Sequence, residues 1–169
     1  MVTRRKLGLG VLGAALGLLG TTALTGGRRA IAETAEKQFP LMLSQAEWRK
    51  RLTGQQFHVL REHGTEYPGS SPLDREKRRG VFHCAGCEKP LFASETKFDS
   101  GTGWPSFYQP LENAVGESQD RSFVVIRVEV HCANCGGHLG HVFDDGPPPT
   151  HLRYCMNGIA MTFKPAANA

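Results

Sequence analysis

Two short helices are predicted near residues 44–64, because polar residues suited to helix capping come directly before apolar ones. Ser44 is followed three residues later by Glu47, and Thr53 is followed three residues later by Gln56. Such pairs can satisfy two free backbone N–H groups at the start of a helix. We therefore expect one helix to run through Trp48 to about residue 52. A second should run through residues 59 and 60 and stop at residue 64.

Beyond residue 80 the apolar residues fall in short runs that are typical of strands. Residues 81–84 and 90–92 are two candidates, and residues 160–163 form another near the end of the chain. The strongest candidate covers residues 122–130, which are rich in β-branched side chains and alternate in polarity at the end of the run. The pattern predicts a mainly β domain with short helices at its N-terminal edge.

The first 32 residues have the pattern of an export signal. Arg4 and Arg5 precede a weakly apolar stretch, residues 7–24, which contains five glycines. Residues 30–32 supply the small-x-small sequence that signal peptidases cleave, so we expect cleavage near Ala32. Paired arginines before a mild apolar run indicate the twin-arginine route. We expect a leader over residues 1–32, a single domain over residues 33–169 and a periplasmic or other extracytoplasmic location. An uncleaved membrane anchor is the alternative.

The positive charge of the chain belongs to this leader. The 169 residues carry 20 Lys and Arg against 16 Asp and Glu, but five of the basic residues and none of the acidic ones lie within residues 1–32. The remaining 15 basic and 16 acidic residues give a net charge of −1. Such a domain has no excess of cations to replace phosphate counterions, which argues against nucleic acid as a partner. After cleavage we expect no stable membrane insertion and a monomer.

Four of the five cysteines form two C-x2-C pairs: Cys84 with Cys87, and Cys132 with Cys135. Two intervening residues let both sulfurs of a tight turn point at one ion, and two such turns provide the four thiolates that structural zinc prefers. Four thiolates leave no open position for a nucleophilic water, so the expected cofactor is one structural Zn²⁺. Two local disulfides are the alternative for an exported protein.

The fifth cysteine, Cys155, is left outside these pairs. An odd cysteine is often an inert buried thiol. Here, however, Arg153 and Asn157 lie two residues to either side and share a face with Cys155 if the segment is extended. An arginine so placed favours a thiolate. Further candidates lie in glycine-rich segments, where they have either a chemical or a purely structural role: Trp104, His138 and His141.

Taken together, these motifs resemble the peptide methionine-R-sulfoxide reductases. The resemblance runs from about residue 43 to 164 and rests on five segments in the same order. These are the two cysteine pairs, residues 100–107, residues 137–146 and residues 153–157. It implies a mainly β fold of two packed antiparallel sheets with short N-terminal helices and a structural four-cysteine zinc site.

The resemblance also implies a role for each matching residue. Cys155 would be the nucleophile that attacks the sulfoxide sulfur, leaving a sulfenic acid on the enzyme. His138 and His141 would hold and protonate the sulfoxide oxygen. Asn157 would help to fix substrate and water, and Trp104 would face the methyl group on sulfur. Asp145 and Arg153 would orient this network and adjust its charge.

The sequence departs from a common family pattern at Thr102, where many members carry a second, resolving cysteine. With four cysteines assigned to zinc, no other thiol in the chain remains to reduce the sulfenic acid of Cys155. We therefore expect an external reductant, such as a thioredoxin-like protein. Two other functions remain open: a zinc-ribbon binding module with Cys155 inert, and a thiol–disulfide exchanger that uses a C-x2-C pair.

Overall fold

Two helices open the part of the chain that the computed structural model describes, residues 38–122 and 125–167. Helix α1 is Gln45–Arg51 and helix α2 is Gly54–Glu62. Both predicted capping boxes are present: the hydroxyls of Ser44 and Thr53 accept from the third backbone N–H, and the Glu47 and Gln56 side chains accept from the cap N–H. The predicted leader and its cleavage site lie outside the described residues. Within them, no helix combines the length and apolar character needed to cross a bilayer.

Over the described residues, nine antiparallel strands form two sheets. The strands are β1 (Gly80–Cys84), β2 (Pro90–Ala93), β3 (Lys97–Phe98), β4 (Ser106–Phe107), β5 (Val115–Asp120), β6 (Arg127–Cys132), β7 (His138–Phe143), β8 (Arg153–Met156) and β9 (Met161–Pro165). The smaller sheet has the order β2-β1-β9, and the larger has the order β3-β4-β8-β7-β6-β5. The predicted fold class, two antiparallel sheets with two short helices, is confirmed.

Aromatic side chains from both sheets meet in the core. The Phe107 ring of the larger sheet stacks on Phe92 at 4.3 Å between centroids and meets Phe82 edge-on at 4.9 Å. All three rings are fully buried. The helices cover another part of this core with Trp48 and Leu60, which are 1% and 2% exposed. Burial of these large apolar surfaces holds the sheets and helices together.

The strand predicted at residues 122–130 was placed too early in the chain. The structure starts β6 at Arg127, while Val125 and Ile126 are 70% and 60% exposed and precede the strand. Asp120 explains the difference: its carboxylate accepts hydrogen bonds from the Ser122 backbone and hydroxyl and from Arg127, which closes the β5–β6 connection. Val125 and Ile126 therefore lie outside the strand despite their β-branched side chains, because local side-chain bonds outweigh strand propensity here.

The pairing of the central strands positions Cys155 and its neighbours. Cys155 on β8 lies opposite Ser106 on β4 and opposite His141 on β7. Gly140, one residue before His141, lies against β8 so closely that a Cβ atom there would be 2.1 Å from the Cys155 carbonyl oxygen. This close approach requires glycine, and it brings the β7 side chains up to the cysteine strand.

Candidate active site

Cys155 opens onto a small cavity of about 130 Å³ at the surface of the larger sheet. Cys155 is half-buried. The cavity is lined by Thr65, Trp104, Arg127, Gly140, His141, Phe143, Cys155 and Asn157. Four residues that sequence analysis selected, Trp104, His141, Cys155 and Asn157, therefore meet around one space. Its volume is suited to a small group attached to a larger molecule.

The thiol of Cys155 lies in a setting with opposing electrostatic effects. Burial raises its pKa, whereas the Thr102 hydroxyl, the Arg153 cation and the Ser106 hydroxyl act to lower it, and burial outweighs them. Thr102 Oγ1 is 3.9 Å from the sulfur. It belongs to a chain of hydroxyls, because Ser100 Oγ is 2.8 Å from both Thr102 Oγ1 and Ser106 Oγ. The resting cysteine is thus a thiol, and neighbouring hydroxyl and guanidinium groups are placed to stabilise its thiolate form.

Arg153 is held in place by Asp145. Its Nε and Nη2 atoms each donate to one carboxylate oxygen at 2.8 Å, and its guanidinium lies 4.4 Å from the centre of the Phe143 ring. The arginine side chain is 12% exposed, whereas that of Asp145 is 59% exposed. The predicted pair is therefore present as a two-pronged ion pair, and Asp145 bonds to the arginine rather than to a histidine.

His141 lines the cavity and is bonded to an aspartate that the sequence did not single out. Its Nε2 atom is 2.9 Å from Asp120 Oδ2, which also accepts from Arg127 at 2.7 Å. Hydrogen bonds from Ser122, and then from His141 and Arg127, hold the pKa of Asp120 well below its usual range. Burial lowers the pKa of His141 despite this carboxylate. The imidazole therefore faces the cavity with one nitrogen fixed by an ionised partner.

His138 lies deeper, 2% exposed, with its ring centre 5.3 Å from that of His141. Its Nδ1 atom is 2.8 Å from Glu129 Oε1, and the same oxygen is 2.9 Å from Nδ1 of the exposed His63. Burial opposes ionisation of Glu129, but bonds from His138, His63 and Ser118 outweigh it and keep its pKa well below the usual range. The bond to Glu129 raises the pKa of His63. Nε2 of His138 finds no hydrogen-bond partner among the described residues.

Asn157 and Trp104 are both anchored to one loop residue, Glu66. The Glu66 backbone N–H donates to Asn157 Oδ1 at 3.0 Å, and its carbonyl accepts from Trp104 Nε1 at 3.2 Å. The Asn157 amide nitrogen donates to the Leu139 carbonyl at 3.0 Å. The indole and amide walls of the cavity are thereby fixed relative to each other.

The four paired cysteines form a cluster that shares no residue with this lining and joins the two sheets. Cys84 ends β1 and Cys132 ends β6, and the other two lie in the turns that follow. The four sulfurs lie within 4.8 Å of one another. Sγ of Cys84 is 3.7 Å from that of Cys135, and Sγ of Cys87 is 3.5 Å from that of Cys132. Tetrahedral zinc with bonds of about 2.3 Å requires about 3.8 Å between sulfurs, so the cluster fits one such ion.

Sequence analysis missed four polar residues of the site: His63, Glu66, Asp120 and Glu129. Asp120 and Glu129 lie on β5 and β6, 21 and nine residues before the histidines that they contact. Only the pairing of β5, β6 and β7 brings them there. No local motif marks these residues, although an acid inside a strand is a weak signal of a buried partner.

The geometry defines a class of site: a cysteine, an imidazole held by a carboxylate, and an indole around a small cavity, separate from a cluster of four cysteines that could bind a metal ion. Residues 52–165 match the SelR domain family. The chain is 55% identical over 123 residues to the peptide methionine sulfoxide reductase MsrB of Agrobacterium fabrum, covering 72% of this chain and 91% of that protein. It is 52% identical over 122 residues to the protein of that name from Methanosarcina barkeri, covering 72% and 86%.

Identity of this extent over nearly the whole length of the relatives shows the family. The chain belongs to the MsrB family of peptide methionine sulfoxide reductases.

Proposed function

We propose that this protein reduces methionine-R-sulfoxide in peptides or proteins to methionine, with Cys155 as the nucleophile. The observation that supports this most strongly is the cavity itself: the Cys155 sulfur opens into it, and His141 and Trp104 line it. Family membership supports methionine sulfoxide as the substrate. An inert Cys155 in a zinc-ribbon binding module leaves both the cavity and the carboxylate-bound histidines unexplained.

The reaction begins when the Cys155 thiol loses its proton and the thiolate sulfur attacks the sulfoxide sulfur. The proton passes to the sulfoxide oxygen, with His141 placed to carry it and His138 packed against His141. The S–O bond of the substrate breaks and an S–OH bond forms on Cys155. The products are methionine and a cysteine sulfenic acid, so the substrate sulfur gains the two electrons that Cys155 loses.

An external thiol then completes the cycle. It attacks the sulfenic acid, releases water and leaves a mixed disulfide with Cys155, and a second thiol reduces that disulfide. Thr102 Oγ1 lies 3.9 Å from the sulfur, and threonine has no thiol to offer. A thioredoxin-like protein is the proposed donor.

The decisive test compares the separated R and S epimers of a peptide methionine sulfoxide. Residues 33–169, zinc-loaded and supplied with dithiothreitol, should reduce the R epimer alone, and Cys155→Ser should abolish turnover. Correctly folded protein that turns over neither epimer would overturn the proposal. Turnover of both epimers would retain the chemistry but refute the stereospecific role of Trp104.

The metal proposed for the four-cysteine cluster is one structural Zn²⁺, bound by Cys84, Cys87, Cys132 and Cys135. The sulfur spacing and the full set of four thiolates support a closed site. Elemental analysis of the purified protein should find one zinc per chain. A substoichiometric metal content with two disulfides by mass spectrometry would overturn it.

Export is proposed from the sequence of residues 1–32 alone. Arg4 and Arg5 before an apolar stretch, and the small residues ending at Ala32, support a cleaved twin-arginine leader. Expression of the full chain followed by fractionation and N-terminal sequencing should give periplasmic protein that begins near Glu33. Replacing Arg4 and Arg5 with lysine should block that export, and unchanged export would refute the twin-arginine route.

A further inference from the structure

Glu66 contacts three separate parts of the active site without itself lining the cavity around Cys155. Its backbone binds Asn157 and Trp104, as described above. Its carboxylate binds the chain just after the cysteine strand: Oε1 accepts from the Gly158 N–H at 2.5 Å, and Oε2 accepts from the Ile159 N–H at 3.0 Å. All four hydrogen-bonding positions of one residue are thus committed to residues 104, 157, 158 and 159.

The two carboxylate bonds cap a short 3-10 helix, Gly158–Ala160, that follows β8. Asn157 occupies the cap position of this helix, and its side chain makes no capping bond there. Asparagine normally uses its side-chain oxygen to cap the N–H groups that follow it. Because the Glu66 carboxylate takes those N–H groups instead, the Asn157 amide is released to bind Glu66 N–H and the Leu139 carbonyl.

The space around Gly158 shows how tightly this contact is built. A Cβ atom at that position would lie 2.1 Å from Ser71 Oγ and 3.3 Å from Glu66 Oε1. The carboxylate is half-buried, and burial raises its pKa although the two backbone bonds act to lower it. Half-burying a carboxylate loses part of its solvation free energy. A glutamate with only a surface role would not bear this loss.

The backbone bonds of Glu66 relate two walls of the cavity to each other. The Trp104 indole donates a hydrogen bond to the Glu66 carbonyl, and the Asn157 amide oxygen accepts one from the Glu66 N–H. Both walls flank the Cys155 sulfur. A displacement of Glu66 therefore changes the width of the space in which the methyl group and the oxygen of a sulfoxide must take different positions.

We propose that Glu66 is a positioning residue that sets the spacing between Trp104 and Asn157 and thereby the preference for one sulfoxide epimer. This inference rests on the proposed reductase function. Glu66→Ala removes both carboxylate bonds, so the loop is free to shift. Glu66→Gln keeps one acceptor oxygen but points an NH₂ group at a backbone N–H, so it should fall between alanine and wild type.

The test measures kcat and KM for each epimer with wild type, E66A, E66Q and the control E62A. Glu62 is a nearby acid on α2 whose contacts are surface ion pairs with Arg49 and His58. We expect E66A to lose about tenfold to 100-fold in kcat/KM for the R epimer, the scale of a misplacement of about 1 Å. Its ratio of R to S turnover should also fall. E66Q should lose less, and E62A should match wild type.

Fluorine NMR of protein labelled with 5-fluorotryptophan provides a readout independent of turnover. Trp104 and the buried Trp48 are the two tryptophans of the chain, so each gives its own resonance. In E66A the Trp104 resonance should shift while that of Trp48 stays in place. A lowered melting temperature with unchanged epimer ratio and unchanged Trp104 resonance would overturn the proposal. If wild type turns over neither epimer, the proposed function fails, and an unshifted Trp104 resonance would refute the positioning role as well.

Discussion

Arg153 should control how much of Cys155 is thiolate at neutral pH, and Arg153→Met tests this. Arg153 and Cys155 are two residues apart on β8, so their side chains share one face, and the guanidinium acts on the sulfur both as a charge and as a hydrogen-bond donor. A hydrogen bond to an ionised group contributes about 1.5–3 kcal/mol. The Asp145 carboxylate, 2.8 Å from the guanidinium, offsets part of this attraction. We take about half of the upper figure, which is a factor of about ten in the ionisation equilibrium of the thiol.

The substitution should therefore raise the pKa of the Cys155 thiol and lower the thiolate fraction at pH 7 about tenfold. Burial already raises that pKa, so both proteins are mainly thiol at pH 7 and the variant more so. The thiolate fraction, and any rate that depends on it, should rise with pH and level off above the raised pKa. Methionine retains the apolar stem that packs on Phe143.

The assay is the rate of iodoacetamide alkylation at Cys155, followed by peptide mass spectrometry between pH 6 and 10 on zinc-loaded protein. R79M is the matched control, because the Arg79 side chain is 80% exposed and pairs with a surface glutamate, Glu95. Its titration curve should coincide with that of wild type. An R153M midpoint equal to that of wild type would refute the electrostatic role of Arg153.

Three further predictions concern the sulfenic acid, the metal and the strand contact. Thr102→Cys should form a disulfide with Cys155 after one turnover without reductant, because Thr102 Oγ1 is 3.9 Å from the sulfur; continued labelling of Cys155 by dimedone would contradict this. Cys132→Ser should abolish metal binding and lower the melting temperature by on the order of 10 °C; a metal content equal to that of wild type would refute the ligand assignment. Gly140→Ala should cost about 1–3 kcal/mol of unfolding free energy in urea titrations, since its Cβ would overlap the Cys155 carbonyl; unchanged stability would refute that steric argument.

The elements predicted best from the sequence are those that residues close together in the chain determine. Both helices start at capping boxes, and each box closes within four residues, so no tertiary knowledge was needed. The strands of the smaller sheet were found for a similar reason, since each contains a short apolar run. Strand β7 was not predicted, because its HLGHVF sequence has polar residues and a glycine where its neighbours pack closely. Its place between β6 and β8 depends on pairing over long sequence distances.

The candidate site divides in the same way. Cysteine spacing and the family motifs identified Cys155 and the four clustered cysteines, and the structure places Trp104, His141 and Asn157 on the Cys155 cavity. The carboxylates that bind the histidines were not predicted, because they lie on other strands, Asp120 on β5 and Glu129 on β6. The sequence motifs contain Cys155 and the two histidines. The carboxylates that bond to the histidines are brought there by the pairing register of the strands, which a single sequence does not reveal.

The metal cluster and the histidine network are joined through those same strands. Glu129 and Cys132 lie on β6, three residues apart, and β7 starts at His138, three residues after Cys135. An ion bound by Cys132 and Cys135 therefore fixes the turn between β6 and β7, and with it the register that puts Glu129 beside His138. A one-residue slip would move these side chains to opposite faces of the sheet. Under the proposed mechanism, an ion in this cluster would support the reaction without contacting the substrate, because it would hold in register the strands that carry Glu129 and His138.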